Sequence, residues 1–257
     1  MIWRVCLAML ALAACSETSE PTAQDIMPAD IQSGYVFLTA ETQALQDDTF
    51  ANPGYLWVDR GAALFNNELG VTQSCASCHS GGLAGVAATY PKVDPDTQKL
   101  HNLESRINQC RTQNQDVPSL DYESDTLLSL TAYVANQSLG MLQAVETTGE
   151  AADYIEQGRD YFYTRRGQFN FSCAQCHNDS WGLKLRGDTI SQGHGNGFPA
   201  YRLEWETLGS LQRRLRDCDT GVRAEPLPYD SETYKAVELY LAARAAGLPI
   251  ESPAIRR

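Results

Sequence analysis

The string Cys-x-x-Cys-His occurs twice, at Cys75-Ala76-Ser77-Cys78-His79 and at Cys173-Ala174-Gln175-Cys176-His177. Two thiols at this spacing form thioethers to the edge of one porphyrin, and the imidazole that follows reaches the iron as proximal ligand. The chain must therefore fold around two covalently attached haems c. Zinc is the structural alternative, but each string has one His beside its Cys pair and no second pair at finger spacing.

Haem attachment of this kind is made after export, and the N-terminus agrees. Arg4 followed by the apolar run 5–14 has signal-peptide length and is too short to span a bilayer, so residues 1–15 are set apart as a signal peptide. Two processing routes stay open. Ala11-Leu12-Ala13 fits an ordinary peptidase site, while Leu12-Ala13-Ala14-Cys15 looks like a lipobox that would lipidate Cys15. Either route places the protein in the periplasm, soluble or lipid-anchored, and no later run is long enough to be a transmembrane segment. The formal charge of −12 falls to −13 when Arg4 leaves with the peptide, which argues against nucleic acid as a partner.

The 257 residues contain a duplication. Tyr55, Arg60 and the aliphatic face between them precede the first string, and Tyr154, Arg159 and Phe162 precede the second. After each string comes a helix-like element, Leu103 to Cys110 and Leu211 to Cys218, with Leu at −7, Arg at −4 and an aliphatic at −3 from the cysteine. Leu130, Tyr133 and Gly140 then match Val237, Tyr240 and Gly247, each a helix with a glycine where a C-cap belongs; Ser231 suits an N-cap. The offsets are 99, 108 and 107 residues. The expected fold is all-α: two tandem cytochrome c-like domains with long loops, over 50–146 and 147–257. Residues 16–49 form an N-terminal leader or linker, and the Gly- and Pro-containing stretches 80–95 and 187–199 are loops passing over a haem face.

Of eight cysteines, two lie in the export segment and four in the strings, which leaves Cys110 and Cys218. A disulfide between them suits an oxidising compartment, but it would strand the second haem and ignore the repeat. Methionine is the common sixth ligand, and the methionines are Met1, Met9, Met27 and Met141. None follows the second string, so its sixth position is empty or filled by His194 or Cys218. Cys110, His101 and Met141 compete at the first. The parallel between the halves favours Cys110 and Cys218, and a thiolate there donates electrons strongly and lowers the reduction potential. Arg202, Arg213, Arg214 and Arg216 surround Cys218 in an otherwise acidic chain. With a helix over 207–218, Arg214 shares a face with Cys218 and can aim a forked guanidinium at a group on its sulfur. Arg213 and Arg216 read as a solvated face or as partners of haem propionates.

With two haem strings, a cysteine at the matching place in each half, and the run Trp181-Gly182-Leu183-Lys184-Leu185-Arg186-Gly187-Asp188 leading to Gly193-His194 and Phe198-Pro199-Ala200-Tyr201-Arg202, the chain resembles the SoxA family. These are the dihaem subunits of the SoxAX cytochromes, and the resemblance covers nearly the whole mature chain. It implies an L-cysteine S-thiosulfotransferase that couples thiosulfate to a cysteine of a SoxYZ-type sulfur carrier and passes two electrons to a cytochrome c acceptor. Carried over by position, Cys75, Cys78, His79 and Cys110 would serve the first haem, and Cys173, Cys176, His177 and Cys218 the second. Cys218 would also be catalytic, alternating between iron ligand and persulfide, with Arg214 binding thiosulfate. The implied partner is a monohaem SoxX-type subunit in a heterodimer; a lipid anchor at Cys15 is not something the resemblance predicts. Arg106 stands to Cys110 as Arg214 does to Cys218, yet it is assigned no substrate, and the first haem is read as a structural or electron-storage remnant.

Three other readings use the same residues. A dihaem cytochrome would only carry electrons, with Cys110 and Cys218 as passive ligands. A thiosulfate dehydrogenase would join two thiosulfates and need no carrier. A dihaem peroxidase could use His194 as distal base, but a cysteine on the same iron would block it.

Overall fold

The structure, a computed structural model, describes residues 30–66 and 73–257. The expected signal peptide and lipobox, with Met27, lie outside the described residues. The chain is mostly helical: α1 (Ala40–Asp47), α2 (Tyr55–Asn66), α3 (Cys75–Cys78), α4 (Leu103–Asn114), α5 (Asp125–Asn136), α6 (Ala152–Tyr163), α7 (Cys173–His177), α8 (Leu211–Gly221) and α9 (Glu232–Arg244). No helix among the described residues is long and apolar enough to cross a membrane.

Each half repeats one arrangement, α2 against α5 and α6 against α9. A Cβ on Gly61 would stand 2.0 Å from the Ser129 carbonyl oxygen, and one on Gly158 2.1 Å from that of Ala236. Only glycine lets the paired backbones approach this closely. One turn on, Phe65 packs on Tyr133 and Phe162 on Tyr240, with ring centroids 5.2 and 5.4 Å apart. Gly61 to Gly158 and Phe65 to Phe162 are both 97 residues apart, so α2 and α6 correspond at 97 rather than at the 99 read from Tyr55 and Arg60. The buried contacts set the register, and the solvent-facing arginines do not. Ser124 and Ser231 cap α5 and α9, their hydroxyls accepting from the amides of Leu127 and Tyr234. Gly140 and Gly247 take φ of +76° and +86° at the end of the turn after each helix.

Among the described residues three small sheets accompany the helices. β1 (Lys92–Val93) pairs with β2 (Leu100–His101), and β3 (Lys184–Leu185) with β4 (Asp188–Thr189). The third sheet has the order β6 (Thr207–Gly209), β5 (Ala200–Arg202), β7 (Ala254–Arg256), with β7 parallel to β5. β1–β2 and β5–β6 are one hairpin used twice: Leu100 and Leu208 lie 108 residues apart, and Gln98 and Glu206 in the turns both have positive φ. Each hairpin passes through a capping residue, Asn102 or Ser210, into the helix that bears the extra cysteine. That helix therefore begins at Leu211, since 207–209 is strand.

The halves interlock. Leu208 sits among Val58, Leu128 and Ala132 of the first half, and Leu100 among Ala236 and Leu239 of the second. The Asn52 side chain donates to the Pro253 carbonyl at 2.9 Å, and the Ile255 amide to Gln46 at 3.1 Å. Within the stretch read as a leader, residues 30–38 are docked: the Gln32 amide donates to Gln192 at 2.7 Å, and Ser33 bonds Glu251.

Candidate functional site

The second haem string forms α7, started by a capping box between Ser172 and Gln175. The Nδ1 of His177 lies 2.7 Å from the Ser191 carbonyl oxygen. A carbonyl only accepts, so Nδ1 carries the proton and Nε2 keeps its lone pair for a metal. Burial pushes the His177 pKa down to about 4, with the Ser191 bond opposing and Arg214 adding, and the ring stays neutral at physiological pH. Gly193 rests on this ring, where a Cβ would come 2.7 Å from Cγ, and its φ is +76°. The loop expected over 187–199 thus lies against His177. His194 follows in the same loop; its Nε2 is 3.2 Å from Gln192, and its Nδ1 has no partner among the described residues. His194, the alternative sixth ligand, thus shares one loop with the glycine that packs on His177.

Cys218 comes to the string from α8. Burial raises the thiol pKa of Cys173 and Cys176, and the neighbouring Cys218 adds to both. Arg214, one turn before Cys218, is close enough to act electrostatically on His177 and Arg202. The four arginines of the cluster then divide. Arg213 pairs with Glu123 at 3.8 Å and covers the Trp205 ring at 4.2 Å. Arg216 bonds the Leu227 carbonyl and covers Tyr229 at 4.6 Å, and Arg202 pairs with Glu204 at 3.0 Å. Arg213 and Arg216 are thus held by protein partners instead of forming a solvated face. The guanidinium of Arg214 makes no hydrogen bond or ion pair among the described residues.

The first string differs in these respects. His79 is exposed, with Phe65 the nearest ring at 6.3 Å. Burial raises the Cys75 pKa and neighbouring Cys110 adds to it, so Cys110 belongs with this string as Cys218 does with the other. All six described cysteines are free thiols. Arg106, the counterpart of Arg214, is engaged: it pairs with Asp94 at 3.0 Å and bonds Gln109. The buried Arg111 has Nε and Nη1 unpartnered among the described residues. Of the competing ligands, His101 is bonded to Ser105 at 3.1 Å and Met141 is exposed.

Both strings fit a c-type haem. Each offers two thiols and a histidine, and beside Cys75 the buried Arg111 keeps Nε and Nη1 without a partner among the described residues, which suits a propionate. Sequence reasoning missed Arg166, Asp219 and Ser191, whose partners lie too far along the chain to form a local pattern. Gly193 was visible in Gly193-His-Gly195, although its ring contact was not.

A sequence model of the SoxA/TsdA cytochrome c domain matches residues 60–142 and 157–250. The L-cysteine S-thiosulfotransferase subunit SoxA of Pseudaminobacter salicylatoxidans is 41% identical over 230 residues, spanning 88% of this chain and 80% of its own. That of Paracoccus pantotrophus is 40% identical over 229 residues, spanning 88% and 79%. The crystal structure of SoxXA from P. pantotrophus superposes with a TM-score of 0.84 at 39% identity, covering 88% of this chain and 87% of that one.

Proposed function

From this chain's membership of the SoxA/TsdA cytochrome c family, we propose the following assignment of its residues. The protein is an L-cysteine S-thiosulfotransferase that couples thiosulfate to a protein cysteine. The overall change is R–SH + S2O3²⁻ → R–S–S–SO3⁻ + H⁺ + 2e⁻, where R–SH is a cysteine of a SoxYZ-type carrier. Bound at Cys173 and Cys176, a haem c supplies an electron acceptor beside the reacting sulfur. Cys75 and Cys78 would hold a second haem, with His79 and Cys110 as iron ligands of that haem and His177 and Cys218 as those of the other.

The uncommitted guanidinium of Arg214 carries the reading. It stands one turn from Cys218, and its fork suits the sulfonate end of a small dianion. Sulfonate bound there leaves the outer sulfur of thiosulfate free to form an S–S bond with the Cys218 thiolate, and the two electrons this releases are those that the cytochrome acceptor would take. The carrier thiol, losing its proton, then attacks the former outer sulfur of thiosulfate, forms R–S–S–SO3⁻ and releases Cys218 as thiolate. The Ser191 carbonyl keeps His177 in one tautomer throughout. In the first half the same position, Arg106, is closed by Asp94, which supports a structural or electron-storing role there.

The remaining assignments follow the same logic. Domains over 50–146 and 147–257 would each enclose one haem. A monohaem SoxX-type subunit would complete a heterodimer, a cytochrome c would take the electrons, and the periplasm would be the site of action. The test is the mass of the Cys218 peptide after the holoprotein and its monohaem partner meet thiosulfate and an oxidised cytochrome. Added sulfur or thiosulfonate in the native protein, absent in Arg214→Ala, is the expected result. An unmodified Cys218 with normal haem reduction would leave an electron carrier and remove the catalytic assignment.

A further inference from the structure

The residue after Cys218 is more firmly held than any group expected from the sequence. Asp219 is 3% exposed, and one carboxylate oxygen accepts from both Tyr161 of α6 and Tyr234 of α9, each at 2.7 Å. Its other oxygen faces Arg166 at 3.6 Å. Arg166 lies 3.5 Å over the Tyr161 ring, bonds the Tyr161 carbonyl, and reaches the Cys173 sulfur at 3.6 Å. The loop carrying Arg166 leads into the haem string and also grips the end of α8. Gly167 leaves room for the Val222 carbonyl, and the Gln168 and Phe169 amides donate to Arg223 and Val222. One carboxylate thus joins three elements: the helix that bears Cys218, the α6–α9 pair and the approach to Cys173.

We infer that Asp219 is a positioning residue, which through Tyr161, Tyr234 and Arg166 fixes the Cys218 sulfur relative to the haem attached at Cys173. The inference rests on the reading of Cys218 as the reactive sulfur. A sulfur that must both face a metal and receive a substrate needs a defined resting place, because small misplacements of reacting groups are costly. Cys218 and Asp219 are consecutive in α8, so a carboxylate bound on three sides restrains the backbone that carries the cysteine. The other half lacks the device: 108 residues earlier the place of Asp219 is taken by Arg111, whose Nη2 donates to the Pro118 carbonyl at 3.4 Å and whose Nε and Nη1 have no partner among the described residues.

The experiment compares native holoprotein, Asp219→Asn and Tyr161→Phe, each with the monohaem partner. Asp219→Asn keeps the shape and loses the charge that holds Arg166; Tyr161→Phe removes one hydrogen bond and keeps the charge. Three quantities are read: the ligand signature of the second haem by absorption and electron paramagnetic resonance, turnover, and the melting temperature. Expected for Asp219→Asn is a mixed ligand signature at the second haem alone and a kcat lowered about ten-fold with KM for thiosulfate nearly unchanged; Tyr161→Phe should show a smaller change of the same kind. An unchanged ligand signature in Asp219→Asn, whatever its melting temperature, overturns the inference. The mass of the native Cys218 peptide is a separate control. Its failure to gain sulfur would remove the transferase reading, while the ligand signature would still decide where the sulfur sits.

Discussion

Single residues separate the two haem strings more sharply than their shared pattern suggests. Arg106 and Arg214 occupy the same place in the repeat, yet only Arg106 has an acidic partner. Arg214→Lys keeps the charge and loses the fork, so kcat/KM for thiosulfate should fall about ten-fold, whereas Arg106→Lys should leave it within two-fold. Steady-state kinetics of both variants checks this, and equal losses would show that the difference in pairing has no functional weight. Gly193 makes a second point of this size. Any Cβ there meets the His177 ring at 2.7 Å, at a φ that L residues avoid. Gly193→Ala should cost about 2 kcal/mol and disturb the visible spectrum of a haem bound at Cys173 and Cys176, leaving that of one bound at Cys75 and Cys78 unaltered. The identities of these residues were legible in the sequence. Their states were not, because pairing and ring contact depend on Asp94 and His177, which the fold alone brings near.

Among the elements, the α2–α5 and α6–α9 pairs hold each half together, and their closest points are backbone against backbone. Alanine at Gly61 or Gly158 would force helices apart, since the obstacle is a carbonyl oxygen and not the end of a side chain. Each substitution should destabilise by roughly 3 kcal/mol, and the denaturation midpoint measures it. The helices were readable because haem strings, serine caps and apolar spacing are local signals. The hairpins before α4 and α8 were not, because strands of two or three residues are too short to show alternation. The register of the first helix of each half was misjudged by two residues for a related reason. Arginine and tyrosine stand out in a sequence, while a small glycine at the contact does not, although it is the glycine that packing constrains.

The whole molecule joins its halves around a cavity of about 80 Å³, into which Glu104 of α4 and Glu238 of α9 both open. Burial raises the pKa of Glu104 to about 7, with Glu123 and Asp230 adding, and that of Glu238 well above its usual range. A carboxyl that binds its proton more tightly when folded stabilises the protein fully below pH 4.5 and loses that contribution as pH rises to about 7. Glu104→Gln should therefore flatten the decline in stability between these limits, by on the order of 2 kcal/mol at the upper one. Denaturant titrations at pH 5 and pH 7.5 test it, and a variant as pH-sensitive as the native chain would place the proton elsewhere. The strand β7 joins this interior from the far end of the chain, lying beside β5 while its own Ile255 holds Gln46 and the preceding Pro253 holds Asn52. The first half is thus closed by residues from the other end of the sequence, and a chain cut short of β7 would leave Asn52 and Gln46 without the backbone partners that tie the start of that half to the second.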